Sequence, residues 1–149
     1  MPSPECLQFI SRWEGFSSTV YLCPAGIPTI GYGHAVKDGE VFPDSGITKE
    51  QGIALLDLDC MKAQRSIARL IKIPITDQQL TAITSFTFNL GSGALQRSSL
   101  RRVINRGEWA SVRREWLKWV WAGGRRLPGL VRRRNAEIAL FFNKNNIFS

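Results

Sequence analysis

Glu14-Gly-Phe-Ser-Ser-Thr-Val-Tyr-Leu-Cys-Pro-Ala-Gly-Ile-Pro-Thr-Ile-Gly-Tyr-Gly-His34 sets one acid ahead of a β-rich segment punctuated by glycine and proline. Thr, Val, Tyr and Ile favour extended backbone, and Pro24, Gly26, Pro28, Gly31, Gly33 and Gly39 interrupt it. Residues from Ser17 to Val41 therefore read as short strands joined by tight turns. Just upstream, Leu7, Phe9, Ile10 and Trp13 suit a short helix over residues 3–13 that buries one side and closes at Glu14. Cys23 and Thr29 follow the acid by nine and fifteen residues, near enough in sequence to return with it around one small cleft.

Beyond residue 48 the pattern is helical almost throughout. Thr48-Lys-Glu-Gln51 and Thr76-Asp-Gln-Gln79 both have the form in which a Thr oxygen accepts a first-turn N–H and a Gln side chain reaches back, so a helix starts at each. The first carries Ile53, Leu56, Ala63, Ile67 and Leu70 and is expected to run on until Pro74 removes a donor, long enough to join two lobes. The second carries Leu80, Ile83, Phe86 and Leu90 and stops at Gly91. Ser98 or Ser99 caps a helix that Gly107 ends, and Glu108 opens another through Trp109, Val112, Trp116 and Trp119 or Val120. A last helix follows turns at Gly123-Gly124 and Pro128-Gly129. No internal repeat or low-complexity linker interrupts the chain.

At 149 residues the chain can bury a substantial core without a metal or disulfide staple. With 44% hydrophobic and 21% charged residues it has the composition of a folded domain. The opening Met-Pro-Ser-Pro-Glu-Cys-Leu-Gln-Phe-Ile lacks the basic and apolar regions of a secretory signal, and no run of eighteen apolar residues follows. Cys6, Cys23 and Cys60 are odd in number and widely spaced, which argues against a disulfide framework or a zinc site, and Cys6 and Cys60 read as buried thiols. The net charge of +8 is concentrated: residues 76–149 hold thirteen Lys and Arg against four acids, whereas residues 1–75 are nearly balanced. Such a field attracts nucleic acid, anionic membrane or acidic wall polymer.

Glu14-Gly15, Tyr21, Gly26, Pro28-Thr29-Ile30-Gly31-Tyr32-Gly33-His34, Thr48 with its helix, Phe88-Asn89-Leu90-Gly91 and Gly129-Leu130-Val131-Arg132-Arg133-Arg134 resemble, in order and spacing, the phage-type lysozymes (endolysins, muramidases). The resemblance covers essentially the whole chain. It implies a mainly α, α+β lysozyme-like fold: one domain over residues 1–149, with a small β lobe at about 15–47. A larger helical lobe at about 48–149, with the N-terminal helix, is joined to it through a long helix, and the cleft lies between the lobes. It also implies hydrolysis of the β-1,4 bond between N-acetylmuramic acid and N-acetylglucosamine in peptidoglycan, causing lysis of bacteria.

The resemblance makes Glu14 the general acid. Trp13 and Phe16 flank it, and an apolar setting disfavours a carboxylate and keeps the proton available near neutral pH. The family's series is Glu, Asp, Thr, and here the Asp position holds Cys23. An ordinary thiol is only a few per cent ionised near pH 7, so Cys23 either holds and deprotonates the attacking water with a depressed pKa or attacks the sugar as thiolate. Thr29 would orient that water. The sequence leaves inverting and retaining outcomes open, and family resemblance favours inversion. Tyr21, Gly33 and Arg133 are the candidate substrate-binding residues; Arg132, Arg133 and Arg134 cannot share one helical face, so at least one of them is expected in solvent. His34 reads as structural, pairing with an acid elsewhere.

No metal or cofactor is implied. Trp109, Trp116 and Trp119 beside Arg113 and Arg114 read as core packing rather than a nucleic-acid groove, no nucleic-acid motif accompanies them, and the expected partner is the peptidoglycan glycan strand. The protein is expected to be a monomer made in the bacterial cytoplasm and acting on the wall or in the periplasm. Its basic second half would add attraction to wall polymer or membrane surface. The alternative is a peptidoglycan-binding module whose turnover is weak because Cys stands where the acid belongs.

Overall fold

The computed structural model describes residues 1–143, so the last six residues of the expected 1–149 domain lie outside it. Close packing divides the chain into two compact units, with the boundary after Lys62.

The first unit begins with α1 (Pro4–Trp13). Ser3 caps it by accepting the Cys6 N–H at 3.1 Å, and Pro4 enters at the first turn, where a missing N–H costs nothing. Its buried face carries Cys6 and Ile10, and it closes at Glu14, whose N–H reaches the Ser11 carbonyl at 3.2 Å. An antiparallel sheet follows in the order β1 (Ser17–Leu22), β2 (Pro28–Gly31), β3 (His34–Ala35). Tyr21 pairs with Thr29 and Leu22 with Pro28, and the register slips between Ser17 and Tyr21. Gly31 and Gly33 take φ of +67° and +78°, conformations that let the chain reverse around Tyr32 so that His34 pairs with Ile30.

Helix α2 (Lys49–Leu70) starts as its sequence requires: the Thr48 N–H reaches Gln51 Oε1 at 2.8 Å and the Gln51 N–H reaches Thr48 Oγ1 at 3.1 Å. The side chain of Cys60 on this helix meets that of Cys6, which together with burial pushes the Cys60 thiol up. Cys6 and Cys60 thus tie α1 to the first part of α2 within the first unit.

In the second unit α2 ends at Leu70, short of Pro74. Asn105 supplies the stop: its Oδ1 accepts the Lys72 N–H at 2.7 Å and its Nδ2 donates to the Leu70 carbonyl at 2.9 Å, occupying groups that another turn would need. Helix α3 (Asp77–Leu90) opens with the expected capping box and is buried continuously from Thr81 to Thr87. Then come α4 (Ser92–Arg97), which the sequence reading missed, α5 (Ser99–Asn105) and α6 (Trp109–Trp116). Helix α7 (Pro128–Phe141) packs against α3. Ile67, Ile83, Phe86, Leu95, Leu100, Ile104, Trp116 and Ile138 form the core, and each contributes roughly 1.5–3 kcal/mol by leaving water.

Two features depart from the expected helices. Helix α6 stops at Trp116, and Gly123-Gly124 closes a hairpin of β4 (Trp121–Ala122) and β5 (Arg125–Arg126). The two glycines have φ of +58° and +76°, as a two-residue hairpin turn demands. Pro128-Gly129 is not a turn; Pro128 instead begins α7.

Candidate active site

The tip of the β1–β2 hairpin is built around Cys23. Its N–H donates to the Ile27 carbonyl at 3.0 Å and its carbonyl accepts the Gly26 N–H at 2.7 Å, a tight turn in which Pro24 fixes one dihedral and Gly26 takes φ of +78°. The Ile27 carbonyl also accepts the Thr29 hydroxyl at 2.8 Å, which fixes that side chain. Thr29 is buried, and Cys23 is half-buried at the turn.

The Cys23 thiol sits below its ordinary pKa. The Ile27 N–H is the main cause; partial desolvation works against it, and the Ala25 N–H and the Thr29 hydroxyl add to the lowering. Fixed donors of this kind stabilise a thiolate, as they would a carboxylate. Cys23 and Thr29 are thus held by the same turn, each bonded to the Ile27 carbonyl. Tyr21, directly across the ladder from Thr29, projects on the same side of the sheet and is largely exposed.

Glu14 lies where α1 ends, half-buried rather than enclosed. Only two residues separate it from β1, so helix and hairpin are linked by a very short connection. Gly33 forms the turn before β3 with its positive φ. His34 is held on both ring nitrogens, with Nδ1 at 2.8 Å from Asp59 and Nε2 at 2.9 Å from Glu40. Burial pulls its pKa down, but the two carboxylates outweigh burial and hold it above the ordinary imidazole value. It is a brace between the sheet, α2 and the loop carrying Glu40. Sequence reasoning gave neither acid by number, because Glu40 lies in a loop and Asp59 comes from another element.

Arg133 stands in the second unit, 4% exposed, with Nε 3.3 Å from the Ser85 hydroxyl and 3.4 Å from Glu137. Glu137 also accepts from Trp116 Nε1 at 2.9 Å and pairs with Arg134 at 3.0 Å. Arg134 is fully buried and Arg132 exposed, so one of the three arginines is in solvent, as helical geometry requires. Trp116 is buried in the core and the half-buried Trp119 packs edge-on to Phe86 at 5.6 Å, whereas Trp109 remains 45% exposed. Among the described residues no group of three His, Cys, Asp or Glu side chains could hold a metal ion, and no helix is long and apolar enough to cross a membrane.

The sequence profile described as phage lysozyme matches residues 11–137. The chain belongs to the phage lysozyme family. An endolysin of Acyrthosiphon pisum secondary endosymbiont phage 1 is 39% identical over 145 residues, covering 93% of this chain and 96% of that protein. Among solved structures, the endolysin from Escherichia coli O157:H7 phage FAHEc1 superposes with a TM-score of 0.84 at 31% identity, covering 96% of this chain and 94% of that one. The muramidase domain of SpmX from Asticaccaulis excentricus does so with a TM-score of 0.85 at 28% identity, covering 96% and 98%. This phage lysozyme is therefore an endolysin-type hydrolase with the mainly α, α+β fold that its sequence implied.

Proposed function

We propose that this phage lysozyme hydrolyses the β-1,4 bond between N-acetylmuramic acid and N-acetylglucosamine in bacterial peptidoglycan, with Glu14 as general acid and Cys23 and Thr29 as the pair that activates water. The observation that carries the reading is the hairpin that follows Glu14, whose turn amides lower the Cys23 thiol and whose Ile27 carbonyl fixes the Thr29 hydroxyl. The likeness to a muramidase domain over 96% of the chain supports the choice of bond.

In this reading Glu14 gives its proton to the glycosidic oxygen as the bond to the anomeric carbon breaks. A water held by Thr29 attacks that carbon from the far face, and its proton passes to the Cys23 thiolate. One water is consumed, and the sugar leaves with a new hydroxyl. Exchange with solvent then returns the proton from Cys23 and restores the Glu14 acid. A base acting through water gives inversion. Tyr21 and Gly33 are proposed to contact the glycan, and Arg133, in the second unit, to serve as a substrate-binding cation. The protein is proposed to act as a monomer on the wall, with no cofactor, after synthesis in the bacterial cytoplasm.

Turbidity of purified walls tests the reading. Wild type and Cys23→Asp are expected to clear them, while Cys23→Ala or thiol alkylation abolishes clearing. An alkylated protein that clears walls at the wild-type rate would remove Cys23 from the chemistry. Folded wild type that binds walls without cutting them would leave only a binding module.

A further inference from the structure

We propose that the β4–β5 hairpin is a wall-gripping element, in which the Trp121 indole lies against a sugar ring of the glycan strand and Arg126 binds a carboxylate of the attached peptide. The inference rests on peptidoglycan being the substrate and adds a second point of attachment for it, in the second unit.

Trp121 is 59% exposed, and every residue from Trp121 to Gly129 is exposed. An indole left in water does nothing for the core, and Trp and Arg are the residue types that dominate binding surfaces. Trp121 is directly opposite Arg126, which puts both side chains on one face of the ladder at a separation of about 5 Å between their Cβ atoms. Ala122 opposes Arg125 on the other face. One face is therefore aromatic and cationic, while the other has a cation alone.

The hairpin is also anchored at its base, which lowers the ordering cost of binding. Val120 at its base is 3% exposed, the Leu127 N–H bonds the Val120 carbonyl at 3.0 Å, and α7 begins at the next residue. A flat indole offers an apolar platform with a polar edge, and a guanidinium fork matches a carboxylate in bidentate geometry. Peptidoglycan supplies both partners a few ångströms apart: pyranose rings with apolar faces, and peptide chains bearing free carboxylates. A bilayer fits less well. The tip that would enter it is Gly123-Gly124, without an apolar side chain, whereas membrane-seated elements bury an apolar face.

Initial rates on purified insoluble peptidoglycan test the proposal, with melting temperature confirming the fold of each variant. Trp121→Ala and Arg126→Gln are each expected to raise KM about five- to tenfold, the effect of roughly 1–1.4 kcal/mol, with kcat changed less than about twofold. Trp121→Phe should recover most of the loss. Arg125→Gln removes the same charge from the other face and is expected to leave KM within about twofold. Unchanged KM in Trp121→Ala and Arg126→Gln would overturn the proposal, as would an equal rise in Arg125→Gln. Unchanged KM with lost binding to phosphatidylglycerol vesicles would overturn it in favour of a membrane surface. Cosedimentation of the same variants with peptidoglycan in a Glu14→Gln background reads the grip without turnover, so a failure of the catalytic reading remains distinguishable from a failure of this one.

Discussion

A sulfur that faces the Ile27 and Ala25 amides gains charge at a lower pH than a free thiol. Activity that needs the Cys23 thiolate therefore rises with pH through a limb lying below the ordinary thiol value of about 8.5. Cys23→Asp is expected to move that limb to the range of about pH 4–5, where aspartate ionises. A pH–rate profile on purified walls reads both, and coincident limbs in the two proteins would disconnect the residue from water activation. His34 makes a separate prediction for stability. Its pKa is raised on folding, so the stabilisation is complete below the unfolded value of about 6.5 and is lost as pH climbs through the higher folded value. Glu40 is lowered, chiefly by the Lys37 N–H and then by His34, so its share is present above about 4.5 and lost as pH falls through the lower folded value. Melting temperature is expected to be highest between these limits. It should decline above them more steeply in wild type than in His34→Gln, and parallel curves would contradict the brace.

Elements were legible in the sequence wherever the signal was local. The capping boxes at Thr48 and Thr76 announced α2 and α3 because donor, acceptor and spacing lie within four residues. Thr76→Ala is expected to cost about 1 kcal/mol, seen as a loss of about 2–4 °C in melting temperature. The end of α2 was not legible, because it depends on Asn105, thirty-five residues beyond Leu70. The donors that lower Cys23 are backbone amides placed by turn geometry, so the motif identified the residue while its environment came only with the fold. The Glu137 cluster was not legible either, because Ser85 and Trp116 come from other helices. Glu137→Gln leaves the buried guanidiniums of Arg133 and Arg134 without their counter-charge and is expected to destabilise by about 3–5 kcal/mol, measured by denaturant unfolding. A loss under about 1 kcal/mol would show that the cluster contributes little.

For the whole molecule, charge and chemistry are distributed differently. Every proposed reacting side chain falls in the first sixty-two residues, where eight acids stand against four Lys and Arg, and the excess of Lys and Arg falls beyond them. Wall binding is expected to weaken as ionic strength rises, since exposed charges are screened beyond about 10 Å at 0.1 M salt, while kcat on a short soluble fragment stays constant. The central claim is the proton donated by Glu14, and mass spectrometry of peptidoglycan fragments tests it most directly. Wild type is predicted to release fragments carrying one added water and a muramic reducing end, and a folded Glu14→Gln protein to release none. Equal release by the two proteins would contradict the account.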